Sequence, residues 1–242
     1  KVWYPAKDNQ LIEKASYVEN QELLSEALSK SLGVPKALMK RAGGIECNSW
    51  SEPRPASGKF PILIYSHGHQ SLKIANTFQA EELASNGYIV IAPDHTYDAA
   101  ITVLSGDRVI YSSSRLPNGN QRLSEQEMFQ RVRSQLEIRT KDIRFLIDRI
   151  FWSPSFMENV MAVADTSKIG IFGHSFGGCT SVMAGFKDDR IEGYGKFLYS
   201  NGSYYEGHFV NGFRHGRGKY KSPNGTIYIG NWVNGRKHGE GK

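Results

Sequence analysis

Between residues 60 and 185 the chain alternates buried-looking runs with amphipathic ones. FPILIYSHG (60–68) is apolar up to a His-Gly turn, the pattern of a parallel strand covered on both faces. NTFQAEELASNG (76–87) has helical spacing and a glycine stop. YIVIAPDH (88–95) predicts a second buried strand, and ITVLSGDRVIY (101–111) a hairpin around Ser105-Gly106-Asp107. Residues 124–151 predict one long helix, with Met128, Val132, Leu136, Ile143, Leu146 and Ile150 near one face. Ser124 and Glu127 offer it a capping box. KIGIFGHS (168–175) predicts a third buried strand, and GCTSVMAG begins another helix. Strands alternating with helices specify an α/β fold around a parallel sheet.

After residue 192 the pattern changes. GYGKFLYSNGSYYEGHFVNGFRH (193–215) aligns with GRGKYKSPNGTIYIGNWVNGRKH (216–238), a period of 23, and a third copy opens at Gly239. Gly193/Gly216, Gly202/Gly225, Gly207/Gly230, Tyr205/Tyr228 and His215/His238 coincide, and Phe209 exchanges with Trp232. Asn201-Gly202 and Asn224-Gly225 predict tight turns, Asn211-Gly212 and Asn234-Gly235 a second turn in each copy, because both residue types tolerate positive φ. The segments between them alternate aromatic and polar residues. One hairpin cannot bury its own aromatics, so the copies are expected to stack as an all-β module. His215 and His238 fall on the period and read as surface positions of the repeat.

Charge divides at the same place. Of 30 Lys+Arg and 24 Asp+Glu, 8 and 2 lie in 193–242, which leaves 22 and 22 before it, so the net +6 belongs to the repeats. This supports two modules, 1–192 and 193–242. A basic repeat face suits an anionic membrane or a protein partner, and no nucleic-acid reading motif accompanies it. Cys47 and Cys179 are the only cysteines and give neither a disulfide framework nor a metal-binding spacing. The compartment stays open.

The candidate chemistry lies at Gly173-His174-Ser175-Phe176-Gly177, a G-x-S-x-G sequence at a strand-to-helix junction. There the turn is tight, the helix passes close to the strand, and the serine hydroxyl is presented at the sheet's C-terminal edge. Ser175 is the candidate nucleophile. The backbone N–H of Phe176, at the helix N-terminus, is one candidate oxyanion donor. The loop SHGHQS (66–71) is placed to supply the other, the N–H of His69. His67 reads as an anchor of that loop, Cys179 as a small packing residue, and Asp94 and His95 as the end of a strand on the active-site edge.

YEGHFVNGFRHGRG and YIGNWVNGRKHGEG resemble the MORN repeat, whose members are scaffolds that bind proteins or, in some cases, anionic phospholipid. VWYPA, FPILIYSHGHQS, EELASNGYIVIAPDHTYDA and GHSFGG resemble the platelet-activating-factor acetylhydrolase-like branch of the α/β-hydrolases over about residues 1–192. That resemblance implies an ester hydrolase acting on a small ester or phospholipid-like substrate through a serine acyl-enzyme, with no metal or cofactor. It implies Ser175 as nucleophile and the N–H groups of His69 and Phe176 as oxyanion hole. It also implies a triad in the order Ser, Asp, His. Counted forward from Ser175, the acid falls at Phe197–Tyr199, where no carboxylate stands. Asp188 and Asp189 lie a helix length away from the catalytic edge, and the only histidines after Ser175 are His208, His215 and His238, inside the repeats. The expected fold is therefore an incomplete α/β-hydrolase sheet with flanking helices, followed by MORN hairpins. Three readings stay open: a hydrolase fused to a localising repeat, a catalytically inactive repeat scaffold, and a truncated or chimeric chain joined near residue 192.

Overall fold

A computed structural model describes the 242-residue chain except residues 8–12, 19, 34, 44–45, 114–122, 154, 156, 188–189, 192, 199–201 and 211–212. It divides into two compact units, Lys1–Ser181 and Val182–Lys242.

The first unit contains, in order, β1 (Val2–Trp3), β2 (Lys14–Ser16), α1 (Gln21–Leu32), α2 (Lys36–Gly43), β3 (Glu46–Trp50), β4 (Phe60–Ser66), α3 (Thr77–Ser85), β5 (Ile89–Ile91), β6 (Ile101–Leu104), β7 (Arg108–Tyr111), α4 (Glu125–Trp152), α5 (Glu158–Met161), β8 (Ala164–Gly173) and α6 (Phe176–Ala184), whose last residues cross into the second unit. The central sheet has the order β1-β5-β4-β8. β4 is parallel to both β5 and β8, as the apolar runs predict. The edge strand β1 is antiparallel to β5, so the sheet is mixed, and the elements before residue 60 have no counterpart in the apolar pattern.

β5 is shorter than the run 88–95. Pro93 has no N–H to donate, and the Ala92 N–H bonds to the Lys1 carbonyl at 2.9 Å. β8 is longer than predicted and shifts register at Pro61/Ile62. Trp3, Tyr65, Ala80, Ala84, Val90 and Ala92 form one core cluster, which places α3 against the sheet.

α4 begins with the predicted capping box: the Glu127 N–H donates to Ser124 Oγ, and the Ser124 N–H donates to the Glu127 carboxylate at 3.0 Å. Its buried stripe differs from the prediction. Ile143 and Ile150 are buried, but Met128 is exposed, and Gln135, Arg139 and Thr140 are buried instead. The reason is a polar network at the top of the sheet, described below.

The second unit opens with a short ladder of β9 (Phe186–Lys187) and β10 (Arg190–Ile191). A meander follows, β11 (Gly193–Leu198), β12 (Tyr204–Val210), β13 (Phe213–Lys221), β14 (Ile227–Val233) and β15 (Arg236–Gly241), each strand antiparallel to the next. Asn234 and Gly235 both have positive φ, 47° and 80°, the conformation of a two-residue hairpin turn. At the other described turn Gly225 has φ 91° and donates to the Ser222 carbonyl at 3.0 Å. Asn201 and the pair Asn211-Gly212 lie outside the described residues.

The repeat period has a packing cause. The Tyr205 ring lies on the bare backbone of Gly207 and Gly218, where an added Cβ would come within 2.5 and 2.3 Å of its hydroxyl. One period later Tyr228 covers Gly230 and Gly241 in the same way, at 2.5 Å from each. Trp232 stands edge-on to both tyrosines, with centroids 5.3 Å apart in each case, and closes an aromatic core with Phe209.

Candidate active site

The turn from β8 into α6 forces Ser175 to φ 55°, a left-handed conformation that a residue with a side chain adopts only when its surroundings impose it. Two glycines make the turn possible. A Cβ on Gly177 would lie 1.9 Å from the Ser66 carbonyl oxygen, and one on Gly173 would lie 2.4 Å from Gly177 backbone atoms. α6 thus starts in direct contact with the end of β4. Ser175 is exposed, and its neighbour across the cleft is the His-Gly loop: a Cβ on Gly68 would be 3.6 Å from Ser175 Cβ.

The structure brings the sequence-derived residues together. Phe176 opens α6, so its amide is one of the donors that helix geometry leaves unpaired. Among the described residues neither its N–H nor that of His69 has a hydrogen-bond acceptor. The His69 ring stands edge-on to the Phe176 ring, with centroids 6.2 Å apart. Cys179 is exposed, so the expectation that it packs as a small apolar residue is not met; it faces outward from the first turn of α6. Asp94 is occupied by Lys73, whose N–H donates to Oδ1 at 2.8 Å and whose ammonium pairs with Oδ2 at 3.2 Å. This pair borders a cavity of about 220 Å³ lined also by Leu24, Leu72, Ile74 and Ile101.

Behind the loop lies a network that the sequence reading missed. His67, Ser66 and His95 are fully buried. His95 donates its Nδ1–H to Asp142 at 2.8 Å and accepts at Nε2 from Ser66 Oγ at 2.9 Å. Arg139 donates to Ser66 Oγ at 3.1 Å, to the His67 carbonyl and to Asp98. His67 accepts the His95 N–H at Nε2 (3.1 Å), so its Nδ1–H donates to the Gly68 carbonyl at 2.7 Å. Ser66, His95 and Asp142 thus form a linear Ser-His-Asp array, but Ser66 is sealed from solvent and already holds Arg139. The array ties α4 to the His-Gly loop and offers no accessible nucleophile. Burial pushes the His67 ring down to about 4, the Gly68 bond opposing it, and burial also lowers His95 against the pull of Asp142. Both rings are neutral at pH 7.

The one signal for these residues was position. Gln135, Arg139 and Asp142 recur at helical spacing on the same side of α4 as Ile143, and charged groups on a core-facing stripe call for buried partners.

A parallel-centred sheet, a strand–helix elbow with its serine at positive φ, and a His-Gly loop beside it define the α/β-hydrolase class of esterases. The profile described as "Platelet-activating factor acetylhydrolase, isoform II" matches residues 1–194, and the chain belongs to that family. MORN repeats match at 205–227 and 228–242. Platelet-activating factor acetylhydrolase of Cavia porcellus is 27% identical over 211 residues, covering 79% of this chain and 47% of that protein. A probable 1-alkyl-2-acetylglycerophosphocholine esterase of Arthroderma benhamiae is 27% identical over 138 residues, 54% of this chain and 29% of that protein. Among solved structures, a ferulic acid esterase from Streptomyces cinnamoneus aligns with a TM-score of 0.59 at 28% identity, over 79% of this chain and 48% of that one. The chain spans about half the length of the curated acetylhydrolase relatives it matches.

Proposed function

We propose that the first module, taken as residues 1–192, is a serine ester hydrolase for small esters or phospholipid-like substrates. The observation that carries this reading is Ser175 at φ 55°, followed by Phe176 and faced by Gly68 of the His-Gly loop, with the amides of Phe176 and His69 both without acceptors among the described residues. Ser175 Oγ attacks the acyl carbonyl, and the carbonyl oxygen takes its negative charge between the two N–H groups. The alcohol leaves, and water releases the acyl group from Ser175. The names of the relatives, which include acetylhydrolase and alkylacetylglycerophosphocholine esterase, support an ester of this class as substrate. The test is hydrolysis of p-nitrophenyl acetate by the chain beside Ser175→Ala. Turnover lost in the variant supports the reading; equal rates in both refute it.

The repeats, taken as 193–242, serve in this reading as a docking module for an anionic membrane. Strand register sets Lys196, Glu206, Lys219 and Ile229 in one row across the sheet, with Lys221 opposite Ile227, on the side away from the Tyr205 and Trp232 rings. Ile227 and Ile229 are exposed among these cations, which joins apolar contact to positive charge. Vesicles containing phosphatidylserine should sediment the chain at low salt and release it at high salt. Absence of binding at any salt would favour a protein partner. If Ser175→Ala leaves the hydrolysis rate unchanged while vesicles still bind, the chain is an inactive scaffold.

A further inference from the structure

The chain order of the family places the acid and base after the nucleophile, where this chain has repeats. The fold places a different Asp–His pair on the loop that passes Ser175. His69 donates from Nδ1 to Asp98 Oδ1 at 2.9 Å. Asp98 is almost fully buried, and its other oxygen accepts from Arg139. A carboxylate whose two oxygens both accept fixes the His69 tautomer: the proton is on Nδ1 and the lone pair on Nε2. That Nε2 is shielded from solvent and has no hydrogen-bond partner among the described residues. A buried ring nitrogen left unpartnered is costly and points to an occupant that arrives with function.

The other histidines of this unit are differently placed. His67 and His95 use both ring nitrogens within the network behind the loop. His174 is exposed and has no carboxylate partner among the described residues. His69 alone combines a carboxylate on one nitrogen with a free lone pair on the other. It follows Gly68, whose backbone abuts Ser175, and its ring packs on Phe176, the next residue after Ser175.

We infer that His69, oriented by Asp98, is the acid–base residue for Ser175, in addition to offering its backbone N–H to the oxyanion. The inference rests on the proposed serine hydrolase reading. In acylation the Ser175 Oγ–H proton passes to His69 Nε2 as the Oγ–C bond forms and the carbonyl electron pair moves to oxygen. When the tetrahedral species collapses, the C–O bond to the alcohol breaks and the leaving oxygen takes the proton back from Nε2. In deacylation water gives its proton to Nε2, its oxygen bonds the acyl carbon, and Ser175 Oγ recovers the proton as it leaves. In the resting chain the two groups are not hydrogen-bonded. Acid–base pairs often tighten only with substrate, here through the Ser175 rotamer or one water. The charged and titratable groups facing the His69 ring or its loop are Asp98, Arg139, His67, His95, Asp94 and His174.

The test compares p-nitrophenyl acetate hydrolysis by the wild-type chain, His69→Phe, His69→Ala and Ser175→Ala across pH. His69→Phe keeps the backbone N–H and the ring packing on Phe176 but removes Nε2. It should lose about 10²- to 10⁴-fold in kcat/KM and lose the acid limb of the rate–pH profile. Above the hydrolysis that imidazole itself catalyses without protein, added imidazole should restore part of the rate to His69→Ala and none to Ser175→Ala. If Ser175→Ala is inert but His69→Phe and His69→Ala keep both rate and acid limb, the base is elsewhere and the inference fails. If the wild type is no faster than Ser175→Ala, the serine reading itself fails, and this inference falls with it.

Discussion

Gly177→Ala and Gly178→Ala add the same methyl group to adjacent residues in the first turn of α6, and the structure assigns them opposite effects. At Gly177 the new Cβ would stand 1.9 Å from the Ser66 carbonyl oxygen and 2.6 Å from that of His67, both backbone atoms. An ordinary contact needs more than 3 Å, so α6 and the end of β4 must separate by over an ångström. β4 is central and held on both sides by β5 and β8, so it has no room to yield. The cost should reach the top of the overpacking range, about 3 kcal/mol. At Gly178 the nearest atom would be the Gly173 carbonyl oxygen at 3.5 Å, an ordinary contact. Alanine there should stabilise the helix by about 0.5–1 kcal/mol, through propensity and a less flexible unfolded chain. Urea titrations read by hydrogen exchange at the buried amides of Ile62, Ile64 and Ile89 give both values. Equal stability of the two variants would refute the close approach of α6 to β4, and with it the geometric account of the elbow.

Three further outcomes follow from the same packing. The neutral, buried His67 ring is lowered from 6.5 to about 4, so the unfolded chain binds its proton first as pH falls. Stability is complete above about pH 6.5 and declines toward pH 4, by about 3 kcal/mol for this ring alone, with His95 adding in the same direction. An NMR titration in which the His67 ring protonates near pH 6.5 in the folded chain would contradict this. Arg139→Met removes the donor shared by Asp98, Ser66 and the His67 carbonyl, and leaves a buried carboxylate with His69 as its one side-chain partner among the described residues. It should cost about 3–5 kcal/mol, read in the same urea titration, and a neutral effect would mean that the network does not hold the loop. Trp232→Ala opens the aromatic core between Tyr205 and Tyr228 and should cost the repeats about 3–5 kcal/mol, seen as lost near-ultraviolet circular dichroism and amide protection in β12–β14.

Local pattern carried much of the architecture. Apolar runs located β4 and β8, the capping pair located the start of α4, and the glycine-tyrosine period located the repeat strands. Each of these signals is a short-range consequence of backbone geometry, so a window of a few residues contains it. β1 escaped notice because a two-residue edge strand has no period to read. The exposure of Met128 was misread because amphipathic spacing reports which residues can be buried, while the contacts made elsewhere select which are.

The elbow was legible for the same local reason: G-x-S-x-G states both the tight turn and the close helix. The partners of its loop were not. Asp98, Arg139, Asp142 and His95 meet across separations of 28 to 73 residues from Ser66, His67 and His69, or of 41 and 47 from one another. In the sequence Arg139 and Asp142 are ordinary charges on a helix, where water would serve them equally well. The sequence by itself determined the central parallel strands, the long helix, the repeat and the serine's turn. Only the tertiary structure decided which charges left water, because a charge is buried only where the fold delivers a partner to it, and that delivery is how Asp98 comes to hold the His69 ring by one nitrogen and leave the other without a partner among the described residues.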